Sequence, residues 1–292
     1  MPRISYLNGR FLPHAKAAVP IEDRGLQFSD AVYEVIAVFN GKPLDLAPHF
    51  RRLKRSLGEL GIRNPLMRND FARVLARLVR QNGIREGLVY LQITRGVAPR
   101  DHAFPPPATK PTVIMTARPF DVAALVQRQK KGVGVLLVDE NRWARPDIKS
   151  TSLLGNVLAK QAARAAGRFE AVYKSRNGFV TEGTSSNVWI VTAKGEAVTR
   201  TRGNEILAGI TRDMLLPLLK ACGVRPAARP FRVRELLAAR EAFLTSTSSL
   251  VMPIVKVSAK KIGPGKPGPV TQKLITAFWD RVRRQTGFLP PA

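Results

Sequence analysis

The sequence predicts an α+β protein of two domains, and three observations lead there. Its 292 residues reach the length at which chains divide into two cores. Its apolar residues switch several times between a spacing of two and the spacing of a helix face. A proline-rich stretch, VAPRDHAFPPPATKP (97–111), interrupts the pattern and fits neither a regular strand nor a helix. At 45% hydrophobic residues the chain can bury a sizeable core, which excludes disorder as its class.

The first domain is expected over 1–120. ISYLNGRFL (4–12) reads as a hairpin turning at Asn8-Gly9, and VYEVIAVFNGKPLDL (32–46) as two strands joined at Asn40-Gly41. Asp45 is placed to cap a helix reaching about Leu60, with Phe50, Leu53, Leu57 and Leu60 on one face. Phe71, Val74, Leu75, Leu78 and Val79 define a second helix that closes at Gly83. Residues 88–96 and 112–120 read as strands. The loop at 97–111 is longer than most connections in a compact domain, a length usually reserved for function.

The second domain is expected over 121–292. Residues 133–139 form a strand, 152–167 a helix ending on Gly167, and 169–183 a hairpin through Asn177-Gly178. Further helices are expected near 210–222, 232–239 and 270–286, and 242–257 is strand-rich. No internal repeat is visible.

Composition narrows the function classes. No apolar run approaches the roughly 20 residues of a membrane span. The opening MPRISYLNGRFLPHAK lacks the apolar core of a signal peptide, and a single cysteine, Cys222, allows no intrachain disulfide. A cytoplasmic protein is expected. The net charge of +27 raises a nucleic-acid function. Against it, Lys and Arg are spread evenly and no motif of a nucleic-acid fold is present. Nucleic acid is therefore not the expected partner.

Four segments could carry chemistry, each with an ordinary structural reading beside the functional one. Lys149, in DIKSTSLLGN, lies before a small-residue helix start; a lysine whose charged form is disfavoured can form a Schiff base with an aldehyde, and otherwise it is a surface lysine. Glu182, in VTEGTSSN, sits at a strand end, where it could hold a pyridinium proton or merely close a hairpin. Gly209-Ile210-Thr211 opens a helix whose free amides and dipole suit a phosphate, although Thr211 could equally be a plain N-cap. Ser246 and Thr247 could donate to the same phosphate, or form a polar strand end. On the helix at 47–62, most cations read as a solvated face, with one Arg able to reach an anion. No metal site is indicated.

In their order and near-spacing, Tyr33, Arg52, Lys149, Glu182, Gly209-Ile210-Thr211 and Ser246-Thr247 resemble the class IV aminotransferases. The resemblance covers essentially the whole chain, through YLNGRFLP, DRGLQFSDAVYEV, HFRRLKRS, YLQITRG, DIKSTSLLGNVLAKQ, VTEGTSSNVW, LAGITRD and TSTSS. It implies a fold-type-IV architecture, with a smaller N-terminal α/β sandwich, a larger C-terminal β-rich pseudo-barrel and pyridoxal 5′-phosphate in the cleft between domains. It implies that Lys149 carries the cofactor and shuttles the proton between substrate α-carbon and cofactor. Glu182 would pair with the pyridine nitrogen. Arg52, Ile210, Thr211, Ser246 and Thr247 would hold the phosphate, with Leu207 against the ring.

Within the family, the chain is most similar to the D-amino-acid aminotransferases. Arg100-x-His102 matches their trap for the substrate carboxylate, and Tyr33 stands in AVYEV. Ser29 and Ala31 replace two glycines usual in that group, which bears on pocket shape. The expected reaction is transamination between a D-amino acid, such as D-alanine or D-glutamate, and a 2-oxo acid, by a homodimer. The alternatives are a branched-chain or other class IV aminotransferase, an aminodeoxychorismate-type lyase and, from a different class, a nucleic-acid-binding protein.

Overall fold

Asn-Gly pairs start the architecture. Asn8-Gly9 (φ +47° and +89°) and Asn40-Gly41 (φ +51° and +70°) occupy the left-handed region that two-residue hairpin turns require. Glycine and asparagine enter that region at least cost. The structure, a computed structural model, describes residues 3–291. The chain forms two compact units. The first joins residues 3–121 with two returning segments, Ile148–Ser152 and Gln285–Phe288; the second takes Val122–Asp147, Leu153–Arg284 and residues 289–291.

In the first unit the elements are β1 (Ile4–Leu7), β2 (Arg10–Pro13), α1 (Arg24–Phe28), β3 (Ala31–Phe39), β4 (Lys42–Pro43), α2 (Leu46–Glu59), α3 (Arg68–Gln81), β5 (Gly87–Thr94) and β6 (Thr112–Pro119). The strands make one antiparallel sheet in the order β2-β1-β6-β5-β3-β4. Leu53 and Leu57 of α2 and Phe71, Leu75 and Leu78 of α3 pack with Val32, Ile36, Val89, Leu91 and Met115 of the sheet. Each such side chain contributes about 1.5–3 kcal/mol on burial.

β4 pairs only with Val38 and Phe39, so the first half of β3 has an open edge. The segment Ile148–Ser152 fills it. Tyr33 N–H donates to the Lys149 carbonyl at 2.9 Å, and Thr151 N–H donates to the Ala31 carbonyl at 3.0 Å. Ser150 bridges to Val32 between them.

The second unit contains α4 (Val122–Lys131), β7 (Val133–Asp139), α5 (Leu154–Ala165), β8 (Glu170–Lys174), β9 (Val180–Gly183), β10 (Asn187–Val191), β11 (Ala197–Thr199), α6 (Ile210–Ala221), β12 (Pro226–Ala228), α7 (Val233–Leu237), β13 (Glu241–Ser246), β14 (Leu250–Val257), β15 (Lys260–Lys261) and α8 (Pro269–Thr286). The sheet runs β12-β11-β10-β13-β14-β7-β8-β9, with β15 on β14. Gly183 N–H donates to the Ser186 carbonyl at 2.7 Å, tying the end of β9 to the approach of β10. The sheet therefore curls back on itself, as the pseudo-barrel expectation required. β10 is buried along its whole length, with Trp189 stacked on Phe243 at 5.6 Å.

Sequence periodicity did not call α1 or α4. Five residues of α1 are too few to show a period. The α4 stripe of Val122, Leu125, Val126 and Gln129 has helical spacing, but its fourth member is polar and bonds the Val251 carbonyl. Asp45 occupies the N-cap of α2 as expected, but in a left-handed conformation (φ +54°) and without a side-chain capping bond. Among the described residues no helix is long and apolar enough to cross a membrane.

Candidate active site

Lys149 lies in the first unit, on the segment added to β3. Its backbone is fixed on both sides: the carbonyl by Tyr33 N–H, and its own N–H by donation to Ser56 Oγ at 3.2 Å. The Nζ atom stands 4.1 Å from the centroid of the Tyr33 ring. Tyr33 stacks on Tyr90 at 5.7 Å, and burial pushes the Tyr90 hydroxyl up to about 12. That shift keeps the Tyr90 hydroxyl protonated. Among the described residues no carboxylate pairs with the Lys149 amine.

Arg52 is not part of the solvated face of α2. It is buried and grips Glu34 of β3 with two parallel bonds, Nε to Oε1 and Nη2 to Oε2, both 2.8 Å. His49, one turn earlier on α2, meets Glu34 Oε2 at 2.8 Å. Burial alone would raise the Glu34 carboxyl. Arg52 and His49 overcome it and hold the group down at about 2. Sequence reading missed Glu34 and His49. Their signal was an acid beside Tyr33 in a strand otherwise apolar, and a histidine three residues before an arginine on the next long helix.

The proline-rich loop is anchored from below. Buried Arg24 donates from Nε to Asp30 at 2.8 Å, from Nη1 to the Asp101 carbonyl at 2.6 Å and from Nη2 to the His102 carbonyl at 3.4 Å. Arg95 pairs with the same Asp30 and lies 3.6 Å from the centroid of the Phe104 ring. Arg100 and His102 both lean on Phe28, at 5.2 and 5.5 Å, and both are exposed. Exposed Asp101 accepts from Ala103 N–H through Oδ1.

In the second unit Glu182 ends β9, buried. Its Oε1 accepts from Arg142 Nη1 at 2.5 Å. Its Oε2 accepts from Leu207 N–H at 3.0 Å and Asn187 Nδ2 at 3.2 Å. Asn187 Nδ2 also donates to the Leu207 carbonyl at 2.9 Å, which fixes the 207 segment. Burial dominates and pushes the Glu182 carboxyl up to about 7, against the pull of Arg142 and the Leu207 amide. Gly209 follows because nothing larger fits: a Cβ there would sit 2.0 Å from Asn187 Oδ1.

Gly209 is the N-cap of α6 and supplies no side-chain cap. The first-turn amides of Ile210 and Thr211 lack intrahelical partners by position, and Thr211 is buried. Thr211 is the second residue of the helix, so it is not the N-cap. Ser246 shares a 2.6 Å contact with Ser249 Oγ and accepts from Ser249 N–H, shaping the turn that carries half-buried Thr247.

The first unit thus gathers Tyr33, Lys149 and, beneath them, the Arg52 pair. Arg100 and His102 share a separate loop. The second unit gathers Glu182 and Leu207, with Ile210 and Thr211 at the start of α6 three and four residues beyond Leu207; Ser246 ends β13 and Thr247 opens the turn after it. This donor set suits an aldehyde-bearing, phosphorylated pyridine: an amine without an acid partner, a buried carboxylate and an uncapped helix start.

The sequence matches the family described as amino-transferase class IV over residues 31–257. The chain belongs to that family, whose cofactor is pyridoxal phosphate. It is 41% identical over 280 residues to the D-alanine aminotransferase of Bacillus licheniformis, covering 96% of this chain and 97% of that one. It is 38% identical over 273 residues to the D-alanine aminotransferase of Staphylococcus haemolyticus, covering 94% and 95%. Among solved structures, a branched-chain amino acid aminotransferase from Escherichia coli superposes with a TM-score of 0.86 at 23% identity, covering 98% of this chain and 95% of that one. The likeness shows the fold.

Proposed function

We propose that this aminotransferase moves the amino group of a D-amino acid, such as D-alanine or D-glutamate, to a 2-oxo acid. The observation that carries the reading is the anchored Arg100-x-His102 loop, taken with the length and identity of the D-alanine aminotransferase match. An arginine fork fits a carboxylate with two parallel bonds, and fixing the loop beforehand lowers the entropy cost of binding.

Pyridoxal phosphate, when bound, supplies an aldehyde and an electron-withdrawing ring that makes the substrate α-proton labile. The chain's own residues do the rest. Lys149 would hold the cofactor through its amine and, once the substrate amine has displaced it, the freed Lys149 amine would take the proton from the substrate α-carbon and return it. The backbone bonds to Tyr33 and Ser56 hold the residue in place for both tasks. Glu182, a buried carboxylate near the end of β9, would pair with the pyridine nitrogen and hold a proton there. The amides of Ile210 and Thr211, the Thr211 hydroxyl and the Ser246–Thr247 turn hold the phosphate. Arg52, held by Glu34, would supply positive charge toward the phosphate. Leu207 backs the ring.

We also assign the working form as a homodimer in the cytoplasm. Leu154, Val157 and Leu158 of α5 are more than half exposed, as are Ile21, Leu26 and Phe104 of the first unit. Large apolar side chains exposed on each unit call for a covering partner, and a second copy of the chain would provide one. The single half-buried thiol of Cys222 suits a reducing compartment.

The test is a spectral half-reaction screen of the yellow, cofactor-loaded protein with D- and L-alanine, D- and L-glutamate and L-leucine. Bleaching by the D-enantiomers at low concentration supports the reading. Faster bleaching by L-leucine than by D-alanine rejects it in favour of a branched-chain activity.

A further inference from the structure

Glu182 is one end of a longer chain of charge. Arg142 follows β7 and is buried, with its side chain 4% exposed. It offers one nitrogen, Nη1, to Glu182 at 2.5 Å. Its other two are taken by Glu140: Nε to Oε1 at 2.8 Å and Nη2 to Oε2 at 2.7 Å. Glu140 also accepts from Thr181 Oγ1 at 2.8 Å, and Thr181 precedes Glu182 on β9. Tyr173 of β8 presents its ring face 4.4 Å from the Arg142 guanidinium, and its hydroxyl donates to the Gly155 carbonyl at 3.0 Å. The arginine cannot swing to another partner without breaking the fork, the ring contact or both.

Two carboxylates therefore share one guanidinium. The other titratable group nearby, Glu170 of β8, is already held by Lys160, Thr184 and Ser185. Asn187 and the Leu207 amide are neutral donors. Among the described residues Arg142 is thus the one cation bonded to Glu182, and Glu140 fixes the orientation of that cation while competing for its charge.

We propose that Glu140 and Arg142 are positioning residues that set the proton affinity of Glu182, the arginine lowering it and Glu140 raising it. The proposal rests on the role given to Glu182 above. The two effects have opposite signs, which a merely structural role does not predict. Removing Arg142 leaves a buried acid without its counter-charge, and its titration moves up. Replacing Glu140 by the isosteric Gln keeps an acceptor for Arg142 but removes the competing charge, so the Glu182 titration moves down.

The experiment follows the side-chain carboxyl carbon signal of Glu182 against pH in holoenzyme carrying ¹³C-labelled glutamate. The signal is assigned by its loss in Glu182→Gln. Arg142→Met should raise the titration by about one to two pH units, and Glu140→Gln should lower it. Arg142→Lys, which keeps the charge without the fork, should fall between wild type and Arg142→Met. The pH profile of the single-turnover rate should move with the signal in each variant. Shifts of the same sign in Arg142→Met and Glu140→Gln overturn the proposal, as does an unmoved signal in either. Should Arg142→Met fail to fold, Glu140→Gln and Arg142→Lys carry the same decision. Opposed shifts combined with an unchanged rate in Glu182→Gln would uphold the proton-setting pair while removing Glu182 from the reaction.

Discussion

At the scale of single residues, two positions separate binding from chemistry. Lys149→Ala should retain the fold, because the segment is held by backbone bonds to Tyr33 and Ala31 rather than by its amine. It should lose steady transamination, and borohydride reduction should no longer fix the cofactor to the chain. Reduction that still traps cofactor on another lysine would remove Lys149 from its role. Gly209→Ala is the second case. Its Cβ would force the Asn187 amide aside, and with it the bonds to Leu207 and Glu182. A cost of about 1–3 kcal/mol in urea unfolding and weaker cofactor retention are expected. Unchanged stability would mean the 207 segment can shift freely. Lys149 and Glu182 were legible in the sequence because each sits in a local motif. Arg142, Glu140, Asn187 and Glu34 were not, because their importance comes from partners that only folding supplies.

Among elements, the loop at 97–111 is the one proposed to govern substrate choice. Its shape depends on α1 and β5, since Arg24 and Arg95 meet at Asp30. Arg100→Ala should raise the Michaelis constant for D-alanine by about tenfold to a hundredfold, the loss of a charge-assisted pair. Cofactor affinity should stay the same. Arg24→Ala frees the Asp101 and His102 carbonyls without touching Arg100 itself. It should give a smaller rise in the same constant and leave single-turnover rate at saturation nearly intact. D-alanine kinetics indifferent to both changes would retire the carboxylate-trap role. Elements of ten or more residues with a clear apolar stripe were readable in advance, as α2 and α3 illustrate. The five-residue α1 was not, yet it supplies the arginine that anchors the loop.

For the whole molecule, two buried carboxyls oppose each other as pH changes. Glu34 is held down at about 2 from an ordinary 4.5, so its contribution is complete above 4.5 and is lost as pH falls toward 2. The shift corresponds to about 3 kcal/mol. Glu182 is pushed up to about 7, so the folded state prefers its protonated form. Its contribution is complete below 4.5 and is lost as pH rises through 7. In wild type, acid unfolding should steepen below pH 4.5. Glu34→Gln should be less stable at neutral pH by about 3–5 kcal/mol, because the buried fork to Arg52 loses its charge, and should flatten the acid limb. An acid limb as steep as in wild type would exclude Glu34 as its source.

The return of Ile148–Ser152 to β3 also bears on how the protein is made. Synthesis delivers the N-terminal strands and helices first, and such units ordinarily begin folding as they leave the ribosome. Here the first unit is incomplete when residue 121 emerges. The backbone groups of Ala31, Val32 and Tyr33 that face the missing segment stay bare until residue 152 follows, and Gln285–Phe288 comes almost last. An exposed strand edge on a nascent chain is a template for wrong pairing. A fragment of residues 1–121 should therefore exchange its Tyr33 amide rapidly and aggregate with time. A peptide spanning residues 146–153 should slow both when supplied in trans.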